Sequence, residues 1–373
     1  MRSGSLFIKK LSLKNFRNFA FAEIEFSKNI NIMIGNNAQG KTSLIEGIYA
    51  LSTTKSHRTS KDTQMISFDQ DFAKLDTVVQ VPDGDDASLS LVITKRGKTA
   101  TYNGISASRL SAYIGKLKTV FFAPEDLELL KGTPTIRRKF LNMEIGQIDP
   151  LYIHHLSSYS KILKQRNELL KNYSESESNK LLLDVLTQQL IPHLCYLLTK
   201  RTWFLESLEA HAKKIHAFIT ESKEGISFSY TNSMRIDEIT DEVLIAKFES
   251  LYENDKRMRS TTVGAHRDDF SVYLSGVNAH EFASQGQQRT AVLSIKLAEI
   301  DLIYDITGIY PVLLLDDVLS ELDANRQVTL LASTKDKTQT FITTTSVSGI
   351  YEEIIDSSDL FVIEDAKIGD YYE

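Results

Sequence analysis

Ile32–Leu51 reads IMIGNNAQGKTSLIEGIYAL, and its centre, Gly35 to Thr42, matches the phosphate-loop pattern G-x-x-x-x-G-K-[ST]. Asn31–Ile34 closes an apolar run that predicts a strand, and Ser43–Leu51 continues at helical spacing. The loop therefore falls between a strand and a helix, as the pattern requires. In that setting the backbone N–H groups of Gly35, Asn36, Asn37, Ala38, Gln39 and Gly40 converge on phosphate oxygens, and the helix N-terminus adds its dipole. Lys41 can reach the β- and γ-phosphates, and the Thr42 hydroxyl can bind Mg²⁺. A glycine-bearing turn before an ordinary helix is the alternative, and the flanking elements disfavour it. The stretch predicts a nucleoside triphosphate site.

Bulk properties bound the rest. A chain of 373 residues suggests two or three domain-sized units, and 42% hydrophobic with 25% charged residues is an ordinary globular balance. Leu6–Lys10 alternates like a strand rather than forming the apolar core of a signal peptide. Arg2–Ser5 (RSGS) resembles an appended leader and is left out of fold reasoning. No run approaches the ~20 apolar residues of a membrane span. The single Cys195 excludes a disulfide framework within one chain. These features predict a cytoplasmic protein without a membrane partner. The net charge of −6 argues against nucleic-acid binding by bulk charge, so any such contact must be confined to a basic patch.

Strand patterns at FIKKLSLKNF, FAEIEFS and NINIMI precede the loop, and Phe72–Gln80 with Ser88–Thr94 predicts a hairpin around PDGDDA. That acidic turn lacks the final Glu of a calcium loop and reads as solvated. Thr119–Phe122 is a further short strand. Pro150–Lys171 and Lys180–Glu221 are long amphipathic segments joined by YSESESN, which predicts an antiparallel helical arm. Strand and helix patterns return at Ile226–Tyr230, Phe270–Leu274, Gln287–Tyr304, Pro311–Leu315, Gln339–Thr343 and Leu360–Ile363. The expected division is an N-terminal part at 1–125, a helical arm at 126–255 and a C-terminal part at 256–373.

A phosphate loop needs an acidic partner, and PVLLLDD at Pro311–Asp317 supplies one. Its apolar strand would deliver Asp316 to Mg²⁺ beside Thr42, with Asp317 as the base that orients the attacking water. Ser320–Asp323 (SELD) is a polar turn able to approach a neighbouring nucleotide site. Ser284-Gln285-Gly286-Gln287 precedes an amphipathic helix, with Ser284 as its N-cap and free N–H groups behind it. Alone this could be a plain capped helix. Beside a phosphate loop, its simplest use is to close on the γ-phosphate from the opposite side.

Gly35–Thr42, Ser284–Gln287, the strand ending in Asp316-Asp317 and the SELD turn resemble the Walker A, signature, Walker B and D-loop of an ABC-type ATPase head. LSLKNFRNF, GNNAQGKTSLIEGIYAL, KSHRTSKD, FFAPEDLELLKGTPTIRRKFLN, VGAHRDDF, ASQGQQR and LLLDDVLSELD, spread from Leu11 to Asp323, are more closely similar to the RecF family of bacterial recombination mediators, within the SMC/RecF/RecN group. The resemblance implies an α/β ABC-type head, with mixed sheets around the loop helix and a short inserted helical arm. It implies ATP with Mg²⁺ held at Thr42 and Asp316, and slow hydrolysis, used as a switch, that depends on Lys41 and Asp317. It also implies an ATP-dependent homodimer, with nucleotide sandwiched between the Walker A of one subunit and Ser284–Gln287 of the other; Ser320 and Asp323 carry the D-loop. Binding to duplex DNA and single-strand/duplex junctions, cooperation with RecO and RecR, gap repair, replication and the SOS response complete the implied role.

The chain departs from the wider pattern in three places. Asp317 stands where transporter heads carry Glu. Phe122-Ala123-Pro124-Glu125 stands where many heads carry a Gln loop, which leaves Glu125 as a candidate. Thr343–Thr345 replaces the usual switch His. The missing Glu and Gln argue against a transporter subunit, and the short arm argues against an SMC-like tether. His266–Asp268 (HRD) lacks every companion motif of a kinase and reads as a fold or DNA-face element. His154-His155 lack metal-spaced partners and read as ordinary helix residues. Two basic groups are candidates for DNA phosphate: Lys55, Arg58 and Lys61 with His57, and the run Arg137, Arg138, Lys139.

Overall fold

The computed structural model describes residues 4–82, 84–335, 337–347 and 352–370. They divide into two compact units: one runs to Asp126 and resumes at Val292, and the other spans Leu127–Ala291.

The first unit carries the phosphate loop. Its main sheet runs in the order Lys367–Asp370, Ser358–Glu364, Ile30–Ile34, Thr340–Thr344, Val312–Asp316, Thr119–Phe122. All neighbours are parallel except the first pair. Every residue of Ile30–Ile34, Val312–Asp316 and Thr340–Thr344 is buried, as expected of a parallel sheet covered on both faces. A second sheet is antiparallel, in the order Phe19–Glu25, Phe7–Phe16, Phe72–Gln80, Ala87–Thr94, Gly97–Tyr102, Ile105–Ser106. Its alternation turns Ile8, Leu11, Leu13, Leu75, Leu91 and Ile93 inward.

The helix Lys41–Thr53 buries every residue except Thr42, the condition of a helix enclosed by structure. Gly47 permits this. A β-carbon there would lie 2.9 Å from Leu13 Cδ2 and 3.7 Å from Leu75 Cδ2, so helix and antiparallel sheet meet at backbone distance. The predicted mixed sheets around the loop helix are therefore present. Three strands of this unit went unpredicted, Gly97–Tyr102, Ile105–Ser106 and Lys367–Asp370, because all are short and carry little apolar pattern. Ser5 belongs to the fold: it bridges Tyr310, and the Tyr310 N–H donates to the Gly4 carbonyl at 2.7 Å. Residues 2 and 3 of the excluded leader, like residue 1, lie outside the described residues.

The second unit is built on Pro150–Lys171 and the 43-residue helix Glu177–Ile219, packed together. Asp149 caps the first by accepting from the N–H groups of Leu151 and Tyr152, and Ser176 caps the second through the Asn179 N–H. By length and composition alone the long helix could pass for a membrane span. The helix instead buries Leu183, Leu190, Leu194, Leu197, Phe204 and Leu208 inside the unit, together with Arg201 and His216.

This unit also holds a small sheet, Val277–Asn278, Asp269–Leu274 and Ile226–Thr231. That pairing places 256–291 with the helices, whereas the sequence division assigned it to the C-terminal part; the boundary lies inside the helix Gln285–Thr307. HRD is structural. Asp268 accepts from Tyr230 Oη (2.6 Å) and from Ser233 N and Oγ (both 2.8 Å), and His266 Nδ1 meets Tyr159 Oη at 2.7 Å.

Candidate functional site

The loop forms the concavity that its glycines foretold. Ala38 (φ +66°) and Gly40 (φ +115°) take left-handed backbone, which turns successive N–H groups inward. A β-carbon at Gly40 would sit 3.0 Å from both Asn18 Nδ2 and Phe19 Cζ, so glycine is needed twice over. Lys41 folds over the loop and donates to the carbonyls of Gly35 (2.6 Å) and Asn36 (2.8 Å). Burial pushes its pKa down, while Asp317 and Asp316 oppose that shift. An anionic ligand offers this ammonium a charged partner in place of two carbonyls.

Thr42 and Asp316 are 274 residues apart in the chain, yet Thr42 Oγ1 donates to Asp316 Oδ1 at 2.9 Å. Parallel register brings them together: Asp316 pairs with Thr343, and Thr343 pairs with Met33, two residues before Gly35. Thr343 Oγ1 donates to Asp316 Oδ1 (2.7 Å) and accepts from the Asp317 N–H (2.9 Å). Burial raises the Asp316 pKa. The hydrogen bonds from Thr343 and Thr42 counter the rise, and the charges of Glu125 and Asp317 add to it. A hydroxyl and a carboxylate at hydrogen-bond distance, in a site loaded with negative charge, fit the hard oxygen donors that Mg²⁺ takes alongside phosphate. Asp317 has φ +54°, an unusual backbone for a non-glycine residue and one that departs sharply from the strand.

Ala38, Gly40, Lys41, Thr42, Asp317 and Thr343 line a cleft of about 490 Å³ that also takes in Arg17, Asn18 and Arg58. Arg17 donates to the fully buried Glu46 on the loop helix through Nε (2.9 Å) and Nη2 (2.5 Å), and Arg58 Nη1 approaches the same carboxylate at 3.9 Å. Sequence reasoning missed this pair. Its signal was a Glu on the apolar run of the loop helix, which requires a buried cationic partner.

Gln39 is expected to offer its N–H to phosphate, and its other polar groups hold the loop in place: its carbonyl accepts from the Ala366 N–H (3.1 Å) and its Oε1 from the Asp365 N–H (2.5 Å). Asp365 (φ +48°) and Ala366 (φ +55°) form the two-residue turn between Ser358–Glu364 and Lys367–Asp370. A β-carbon on Gly35 would lie 2.3 Å from the Ile363 carbonyl oxygen, so the same hairpin seats both ends of the loop. Gln39→Ala should weaken nucleotide binding about fivefold, the equivalent of one ordinary hydrogen bond of ~1 kcal/mol. A fluorescent-nucleotide titration checks this; unchanged affinity would mean the hairpin does not order the loop.

In the SELD turn, Ser320 Oγ donates to the Asp317 carbonyl (2.8 Å), and Asp323 caps the helix Ala324–Thr334 through the Arg326 N–H (3.0 Å). In the second unit, Ser284 and Gln287 form a reciprocal capping box. The Gln287 N–H donates to Ser284 Oγ (3.3 Å), and the Ser284 N–H donates to Gln287 Oε1 (2.9 Å). Ser284, Gln285 and Gln287 are exposed and Gly286 half-buried, so the motif faces outward.

The two basic groups separate. Lys55 and Lys61 are exposed, and Arg58 is half-exposed beside the cleft. Arg137 is instead clamped by Asp269 through Nε (2.6 Å) and Nη2 (2.8 Å), and Arg138 donates to the Asp268 carbonyl (2.9 Å). Of that run only Lys139 is exposed, because the small sheet supplies acceptors for its neighbours.

The description "RecF/RecN/SMC N terminal domain" matches residues 7–365. Curated proteins named DNA replication and repair protein RecF align over nearly the whole chain. That of Shouchella clausii is 44% identical, covering 97% of this chain and 99% of its own. That of Geobacillus sp. is 46% identical, covering 97% and 98%. The chain belongs to the RecF family. A solved structure of the recombination mediator RecF with ATP superposes with a TM-score of 0.91 at 32% identity, covering 100% of this chain and 99% of its own. An Smc head from Pyrococcus furiosus, at 16% identity and TM-score 0.52, shares the fold. The RecF-family head thus has the ABC-type ATPase architecture.

Proposed function

We propose that this RecF-family chain is an ATP-switched DNA-binding protein of recombinational gap repair. The observation that carries the reading is the Thr42–Asp316 contact beneath a left-handed, lysine-covered loop, the geometry needed to hold a magnesium–triphosphate pair. ATP occupies the cleft, with Lys41 and the loop N–H groups on its phosphates. Thr42 and Asp316 would hold Mg²⁺, and the ion would supply charge neutralisation to the triphosphate. Asp317 orients the attacking water.

The outward-facing Ser284–Gln287 of a second copy closes on the γ-phosphate, so that ATP favours the dimer by linkage. Hydrolysis removes that contact and releases the partner and DNA. Lys55, Arg58, Lys61 and Lys139, all at the surface, meet duplex and junction phosphates. RecO and RecR act with it in loading recombinase during replication and the SOS response, and the setting is cytoplasmic.

Sizing in ATP and Mg²⁺ should show a dimer for the wild type and monomers for Lys41→Arg and Ser284→Arg. If either variant dimerised normally, the sandwich would be wrong. Gapped duplex DNA at low salt should raise the ATPase rate, and a flat response would remove DNA from the reading.

A further inference from the structure

The signature segment is wired to the end of the long arm helix by a run of polar contacts. Gln287 uses both ends of its amide: Oε1 accepts from the Ser284 N–H at 2.9 Å, and Nε2 donates to Glu224 Oε2 at 2.5 Å. The other oxygen of Glu224 meets His216 Nε2 at 3.0 Å. His216 lies in the last turn of Glu177–Ile219 and is fully buried, and Glu224 sits in the short connection before Ile226–Thr231. That connection is held back onto the helix by Thr220, whose Oγ1 donates to the carbonyls of His216 (2.7 Å) and Glu224 (3.3 Å).

The chemistry makes the chain directional. Burial lowers the His216 pKa, with Glu224 opposing; a neutral imidazole presenting Nε2–H is a donor to the carboxylate. A carboxylate on the N–H₂ side of an amide strengthens the carbonyl on its other side as an acceptor. Gln287 is exposed and on its own would sample several rotamers, at a cost in conformational entropy when one is required. Glu224 selects the rotamer in which Oε1 caps the Ser284 N–H. The capping box then fixes the Ser284 backbone and the direction of its hydroxyl.

We infer that Glu224, backed by His216, is a positioning residue for the signature segment. It pre-orders Ser284 and Gln287 for the triphosphate presented by a second copy of this chain, and so ties that contact to the C-terminal turn of the arm helix. The inference rests on the reading that Ser284–Gln287 acts in trans.

The test compares full-length wild type, Glu224→Ala, Glu224→Gln and Ser284→Arg in ATP and Mg²⁺ by sedimentation over a range of protein concentrations. Monomer affinity for a fluorescent ATP analogue is measured in parallel. Glu224→Ala should raise the dimer midpoint about tenfold with monomer nucleotide affinity unchanged. Glu224→Gln, which keeps an acceptor oxygen, should recover part of the loss. A Glu224→Ala midpoint within twofold of wild type, while Ser284→Arg abolishes dimerisation, would overturn the positioning role alone. Normal dimerisation by Ser284→Arg would overturn the trans reading beneath it. If Glu224→Ala fails to fold, Glu224→Asp takes its place: its carboxylate is too short to span His216 and Gln287, and the same tenfold shift is expected.

Discussion

Asp317→Asn is expected to slow steady-state ATP turnover by about 10²–10⁴-fold, the usual contribution of a positioned acid or base. The substitution is well matched to the site. Asp317 occupies left-handed backbone at φ +54°, and asparagine tolerates that region better than most residues. The turn, the N–H donated to Thr343 Oγ1 and the carbonyl accepting from Ser320 Oγ should all persist. What disappears is the carboxylate that would orient water. Fluorescent-nucleotide affinity should stay near wild type, and the ATP dimer should live longer because its exit reaction is blocked. Turnover within tenfold of wild type would assign the water to another group; Glu125, whose charge already acts on Asp316, is the next candidate.

Asp255→Ala should cost about 3–5 kcal/mol of stability in the helical unit, the range for stranding one partner of a buried ion pair. Asp255 and Arg166 are both essentially inaccessible, with Arg166 Nη1 2.8 Å from Asp255 Oδ2. The other Asp255 oxygen accepts from Thr262 N (3.0 Å) and Oγ1 (2.6 Å), and the Arg166 guanidinium lies 5.0 Å from the Phe248 ring centre. Removing the carboxylate leaves the Arg166 cation with only the neutral acceptors Thr187 Oγ1 and Thr261 Oγ1, and takes the acceptor from the Thr262 N–H. Asp255→Asn, which keeps an acceptor oxygen, should lose less. The single tryptophan, Trp203, lies in this unit and is 38% exposed, so its fluorescence through a denaturant titration reports the right transition. A loss below ~1 kcal/mol would mean that the pair contributes little beyond an apolar replacement.

Local pattern made much of both units legible. Phe7–Phe16 and Pro150–Lys171 were read with the bounds that the structure has. The buried strands declared themselves as apolar runs, since a strand covered on both faces needs no polar alternation. The capping box at Ser284–Gln287 was readable in part, because the Ser-x-x-Gln spacing is itself a helix-start signal. The small sheet of the second unit was harder. Two of its three strands are legible singly, but nothing local says that Ile226–Thr231 pairs with Asp269–Leu274 and draws 256–291 away from the C-terminal part.

Arg137 and Gln39 show the same limit at single residues. A basic run and a solvated helix face look alike in sequence, and only the position of Asp269 decides that Arg137 is a structural clamp. Gln39 lies within the phosphate-loop pattern, and only the hairpin turn at Asp365–Ala366 captures its side chain and carbonyl.

By itself, then, the sequence determined the loop, its strand and helix, the acidic strand end and the capped signature helix. Each depends on residues a few positions apart, where backbone preference and hydrogen-bonding reach are local. Tertiary structure alone decided that Asp316 meets Thr42, that Glu46 pairs with Arg17, that the C-terminal hairpin seats the loop and that Glu224 holds Gln287. Those contacts join residues 29 to 326 positions apart. Their partners are selected by sheet register and packing, which no local pattern encodes.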